Sequence, residues 1–223
     1  FSNRFDLNFD RFAQILASRG YASLKLDFRG TWGYGKAYQD AGKHEVCGKI
    51  PSDIHDAARW AIAAGHAQEG RICIWGSGYL GGDLALMEAA YDPDLFCCAV
   101  NEGGEPDISR AASLAWKYLP WYQRRIEEWI GLDAAVLAKH SPILALDRLK
   151  GPVFNIYDLE RDGTEWERLR SGLKKANKEC LLNTPFRYRA GQRGVDAEIG
   201  LYRQTLAFLD KNLGSPPSAP VAH

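Results

Sequence analysis

The sequence predicts an α/β protein, a parallel sheet covered by helices on both faces, from three observations. Short, nearly all-apolar runs (Arg71–Trp75, Phe96–Asn101, Pro152–Tyr157) alternate with longer segments of helical period. Strands buried on both faces read as such continuous runs. A glycine-rich stretch, Gly76–Gly82, joins one apolar run to a helical segment, the order that α/β folds use at the sheet's carboxyl edge. The 223 residues are 46 % hydrophobic and 25 % charged, ordinary globular values that exclude a disordered, collagenous or coiled-coil chain.

The elements follow in chain order. Phe9, Phe12, Ile15 and Leu16 recur at helical spacing, and Gly20 stops that helix. A strand is expected over Tyr21–Phe28. A helix is expected from Pro51-Ser52, with Ser52 as N-cap, to about Ala64, with Gly65 as its stop. The strand Arg71–Trp75, the glycine turn, a helix over Asp83–Ala90 and the strand Phe96–Asn101 come next. From Ile108 to Ala138 the pattern is helical and aromatic-rich (Trp116, Tyr118, Trp121, Tyr122, Trp129), as in a lid over the sheet edge. The strand Pro152–Tyr157 and a helix over Glu165–Ala176 follow. Ile199, Tyr202, Leu206, Leu209 and Leu213 then step by three and four along a last helix with one apolar face. One domain over 1–213 and a flexible tail over 214–223, proline-rich without periodicity, complete the expected organisation.

Charge and cysteine usage exclude several classes. Twenty-eight basic residues balance 28 acidic ones, so the electrostatic drive for nucleic-acid binding is missing. No apolar run approaches the ~18 residues of a membrane helix. The chain opens on Phe1 and has no basic-then-apolar leader, so it reads as a processed product or part of a longer protein, with a cytoplasmic setting as the expectation. Cys47, Cys73, Cys97, Cys98 and Cys180 are odd in number and mostly lie in apolar runs, which reads as buried thiols. Cys97-Cys98 has no second ligand pair at zinc spacing, and no metal or cofactor is expected. Glu102, Glu105 and Asp107 form an acidic group that reads as a solvated loop.

The glycine turn, Trp75-Gly76-Ser77-Gly78-Tyr79-Leu80-Gly81-Gly82, has three readings. One is a nucleophile elbow, G-x-S-x-G, in which a strained turn presents a nucleophile at a helix start. A second is a dinucleotide fingerprint on Gly76, Gly78 and Gly81, with Glu102 at the end of the next strand as ribose partner. The third is close packing of helix on strand, which needs the glycines and no ligand.

The segments Ala17–Ala22, Arg29–Gly35, Arg71–Gly76, Ser141–Ile143, Pro152–Val153 and Phe208–Gly214 resemble, in that order, the hydrolase domain of the prolyl oligopeptidase family of serine peptidases. The resemblance covers nearly the whole chain and implies an α/β-hydrolase-like sheet, here lacking the family's first strands and its H-G-G segment. It implies a G-x-S-Y-G-G turn. Gly76 and Tyr79 match, Gly78 stands where the serine belongs, and Leu80 reads as inserted before Gly81-Gly82. Asp53 and Asp56 resemble the family's paired aspartates, read as favouring a helix dipole.

The triad implied by the resemblance is degraded. No histidine lies between His140 and His223, and Gln192-Arg193-Gly194 occupies the place of the family's G-H-G. Arginine stays protonated and cannot accept the serine proton. In the acid loop, Tyr157–Arg161 stands for H-G-x-x-D, with Asp158 and Asp162 beside the expected place. The degenerate positions are therefore Gly78, Arg161 and Arg193. Ser77 serves as nucleophile only if the turn slips by one residue, which puts Trp75 and Tyr79 where an elbow wants small side chains.

Three functions follow as expectations: a hydrolase-like domain without peptidase chemistry that binds or scaffolds, an active peptidase or esterase using Ser77, and a nucleotide-binding domain using Gly76, Gly78 and Gly81. A small anion or the end of a peptide is expected at Gly78, Tyr79, Arg161 and Arg193, where a helix N-terminus and two cations would converge. Self-association, or a partner chain completing the sheet, is also expected.

Overall fold

A computed structural model of the chain describes residues 4–5, 8–104, 106–109, 127–131, 133–157, 159–176, 180–182 and 195–214. Its sheet is fully parallel, β1 (Cys73–Ser77), β2 (Cys98–Glu102), β3 (Val153–Ile156) and β4 (Cys180–Leu182), in the spatial order β1-β2-β3-β4. Cys73 lies opposite Cys98, Ser77 opposite Glu102, and Asn101 opposite Asn155.

Helices precede and connect the strands. They are α1 (Arg11–Ser18), α2 (Lys36–Asp40), α3 (Lys49–Ala63), α4 (Gly78–Tyr91), α5 (Ala134–Lys139), α6 (Leu159–Lys175) and α7 (Val195–Leu213). The Asp10 carboxylate caps α1 by accepting from the Ala13 N–H at 2.8 Å. Asp133 caps α5 in the same way, accepting from Ala135 and Val136.

Alternation along β2 and β3 sorts the core into two layers. Ala99 and Val153 pack with Ala58 of α3, Leu86 and Ala90 of α4, and Leu169 and Leu173 of α6. Val100, Phe154 and Ile156 face the other way, onto Leu16 of α1 and Leu201, Leu206, Phe208 and Leu209 of α7. Phe154 and Phe208 stack at 5.4 Å between ring centroids. Each is almost wholly buried, a gain of about 1.5–3 kcal/mol per side chain.

The fold class stands, and several element expectations are corrected. Tyr21–Phe28 joins no sheet ladder: a strand exists only where a neighbour offers N–H and C=O groups, and β1 pairs with β2 alone among the described strands. Residues 22–25 are exposed there, Leu24 at 54 %. Helix α3 starts at Lys49 with Gly48 at its N-cap, so Pro51 falls in the first turn, where its missing N–H costs nothing, and Ser52 is not the cap. β1 and β2 lie about two residues further along than the apolar runs suggest. Helix α4 starts at Gly78, drawing the glycine stretch into its first turns, and Leu80 takes a regular helical position there. α2 and β4 are too short to show a period. Of the aromatic segment 108–138, residues 110–126 lie outside the described set, as do the tail residues 215–223.

The cysteine expectation is corrected too. Register brings Cys73 and Cys98 together across β1 and β2, Cα to Cα 4.7 Å, and they form a disulfide. Cys47 and Cys97 are free and half-buried, and burial pushes the Cys47 thiol up to about 11. Closing a loop with a sequence separation of 25 residues is worth about 3.5 kcal/mol in the chain-entropy account. Alkylation of the unfolded, unreduced protein is expected to spare Cys73 and Cys98 and to label cysteines outside that pair, Cys47 and Cys97 among them. Peptide mass mapping that finds Cys73 or Cys98 alkylated would show the pair open.

Candidate active site

The turn from β1 into α4 sits at the carboxyl edge of the sheet. Ser77 ends β1 in extended conformation, φ −120° and ψ 146°, and is exposed. The next residue, Gly78, turns to φ +76°, a left-handed conformation that favours glycine, and a Cβ built on it meets nothing within 4 Å. The glycines on either side are held by contact. A Cβ on Gly76 would overlap the carbonyl oxygen of Gly81, and one on Gly82 would overlap the Asn101 side-chain oxygen and the Gly104 backbone. α4 therefore approaches β1 at Gly76, and the end of β2 at Gly82, so closely that neither position admits a side chain.

Beneath the turn lies a buried polar network. The Asn101 side-chain amide donates to Asn155 Oδ1 at 3.1 Å and to the Tyr157 hydroxyl at 3.2 Å. Its oxygen accepts from the Gly104 N–H at 3.0 Å, and the Tyr157 hydroxyl donates to the Gly104 carbonyl at 2.7 Å. Asn101 and Asn155 are essentially inaccessible to solvent, so these bonds satisfy groups that would otherwise be costly to bury. The network fixes the backbone after β2 against Gly82.

A second tie reaches the Arg29–Gly35 loop. The Arg29 guanidinium grips Asp53 of α3 in two-pronged fashion, Nε to Oδ2 at 2.7 Å and Nη2 to Oδ1 at 2.6 Å, and the Arg29 N–H donates to the same carboxylate. Asp53 partly desolvates, yet the Arg29 contacts hold its carboxyl below the usual range. Its role is this clamp rather than the helix dipole, because α3 begins four residues before it.

The other sequence-predicted residues are placed as follows. Arg161 lies in the first turn of α6, which starts at Leu159, so its backbone is helical rather than on a loop. Asp162 shares that helix, and Arg193, Asp158 and Glu105 lie outside the described residues. Glu102, opposite Ser77, accepts from the Trp75 indole at 3.4 Å. Asp107 is engaged by Arg168 at 3.1 Å and by the Ser109 hydroxyl. No group of three metal-ligating side chains exists among the described residues, and no described helix is long and apolar enough to cross a membrane.

The described histidines sit against other partners. His55 meets Glu88 and His140 packs beside Tyr91, both on α4. At 1.5 Å per residue those partners lie about 15 and 20 Å along the helix from Gly78. His66 packs on Trp60, and the His44 N–H donates to the Trp129 carbonyl at 2.7 Å. A cavity of about 620 Å³ opens between Trp32, Lys36, Asp40, Lys43, Glu128 and Trp129. Another of about 830 Å³ runs along α6 by Ile143, Arg168 and Lys175. Neither is lined by the turn.

A parallel sheet covered on both faces, with a sharp strand-to-helix turn at its carboxyl edge, is an arrangement that several α/β folds share, and superposition on solved structures shows it to be the α/β-hydrolase fold. A Mycobacterium tuberculosis puromycin-hydrolyzing peptidase matches 99 % of this chain and 34 % of its own with a TM-score of 0.84 at 22 % identity. A Pyrococcus horikoshii acylaminoacyl peptidase matches 86 % of this chain and 32 % of its own with a TM-score of 0.69 at 20 % identity. The chain belongs to the prolyl oligopeptidase family, whose model matches residues 7–216. Dipeptidyl aminopeptidase BIII of Pseudoxanthomonas mexicana is 33 % identical over 145 residues, 63 % of this chain and 21 % of that protein. Dipeptidyl peptidase family member 6 of Caenorhabditis elegans is 29 % identical over 147 residues, 63 % and 20 % respectively. The chain thus spans about a fifth of the length of these relatives.

Proposed function

We propose that this domain is a prolyl oligopeptidase-type hydrolase domain without peptidase activity, acting as a binding or scaffolding unit. The observation that carries this reading is Gly78. It has the positive φ expected of an elbow nucleophile, and it has no side chain. Ser77, the one serine within the turn, is in extended backbone one residue earlier. The stretch after β4 that precedes α7 offers Arg193 where the family has its base, and arginine does not take up a proton. The outer edge of β1, unladdered among the described residues, suits a partner strand.

A fluorophosphonate probe tests the reading directly, because it forms a covalent bond only with an activated serine. The protein is expected to remain unlabelled under conditions in which an active family member labels stoichiometrically. Stoichiometric adduct on Ser77 would replace this reading with a peptidase or esterase that uses that residue.

A further inference from the structure

Glu88 is a carboxylate on the elbow helix α4 with only 2 % of its side chain exposed. Burying a carboxylate is expensive unless a cation meets it. The cation is on α3: His55 Nε2 lies 2.6 Å from Glu88 Oε2, an ion-pair approach rather than a well-directed hydrogen bond. Around them, Asp92 at the end of α4 lies 4.0 Å from His55 Nδ1, Arg59 of α3 holds Asp92 at 3.0 Å, and the Phe96 ring sits 6.0 Å from the imidazole. Arg59 is 61 % exposed and committed to Asp92, so the group placed to neutralise Glu88 is the His55 imidazole in its protonated form.

We propose that His55 is a proton-operated latch that docks α3 on α4 while it is protonated and loosens that docking when the proton leaves. The contact with Glu88, aided by the charge of Asp92 and opposed by burial and Arg59, holds the His55 pKa above the ordinary imidazole value. A raised folded-state pKa means that the stabilisation is fully present below the unfolded value of ~6.5 and is lost as pH rises through the folded value. Loosening reaches further than the pair. Two residues before His55, Asp53 clamps Arg29, so α3 links the elbow helix to the Arg29–Gly35 loop.

The full chain tests this by histidine NMR titration together with amide exchange at about pH 6 and about pH 9. His55 is expected to titrate above the ordinary imidazole value. Amides of α3 should lose protection at the higher pH beyond the intrinsic acceleration of exchange. In Glu88→Gln the His55 titration is expected to fall back toward the ordinary value, and the selective loss in α3 to disappear. If that variant does not fold, titration and exchange of the unmodified chain decide the matter. A His55 that titrates at or below the ordinary value, or α3 protection that is the same at both pH values, would overturn the latch.

Discussion

Gly78→Ser is expected to place a seryl hydroxyl on the elbow and to gain no measurable ester or peptide turnover. The substitution fits sterically, since a Cβ at residue 78 meets nothing within 4 Å. The left-handed backbone, φ +76°, costs about 1–2 kcal/mol with any side chain, which the fold can bear. Chemistry fails for another reason: a serine needs a base to take its proton, and triad members act as a unit. Losing either serine or histidine costs such enzymes on the order of 10⁶ in kcat, so restoring one partner leaves the deficit nearly whole. His55 and His140 are tied to α4 partners about 15 and 20 Å along the helix from the turn. Hydrolysis of a p-nitrophenyl ester is the assay. Turnover in the single variant approaching that of an active relative would mean that a base reaches residue 78, and the non-catalytic reading would fall.

The other large effect is structural. Gly76→Ala should drive a methyl group into the carbonyl oxygen of Gly81, a backbone atom of α4 that has no rotamer to escape into. Overpacking of this kind costs about 3 kcal/mol, a large share of the 5–15 kcal/mol that holds a typical protein folded. At this chain length the thermal midpoint is expected to drop by roughly 10 °C. Gly200→Ala is the control. Gly200 lies within α7, and a Cβ there meets nothing within 4 Å, so alanine is expected to stabilise by about 1 kcal/mol through helix propensity. Equal midpoints for the two variants would show that β1 and α4 are not in the close contact described.

The local features of this protein are legible in its residues without any geometry. Apolar runs bounded by glycine and proline declared the buried strands, and three-and-four spacing declared α1 and α7. The order of strand, glycine turn and helix located the elbow, because each of these patterns is written in residues a few positions apart. The absence of a histidine between His140 and His223 was equally legible, since it needs no geometry.

Features that depend on which elements come to lie side by side emerge from packing and register alone. Tyr21–Phe28 has the composition of a strand and no ladder, because pairing needs a neighbour, and its own residues cannot supply one. Cys73 and Cys98 looked like independent thiols until register set them opposite each other. Arg29 meets Asp53 across 24 positions and His55 meets Glu88 across 33, while Asn101, Asn155 and Tyr157 converge from two strands. No periodicity announces such contacts. Their partners are chosen by the packing of α3 on α4, the seating of the Arg29–Gly35 loop on α3 and the registration of neighbouring strands, and the low dielectric of the packed interior is what turns a chosen pair into a constraint on the fold.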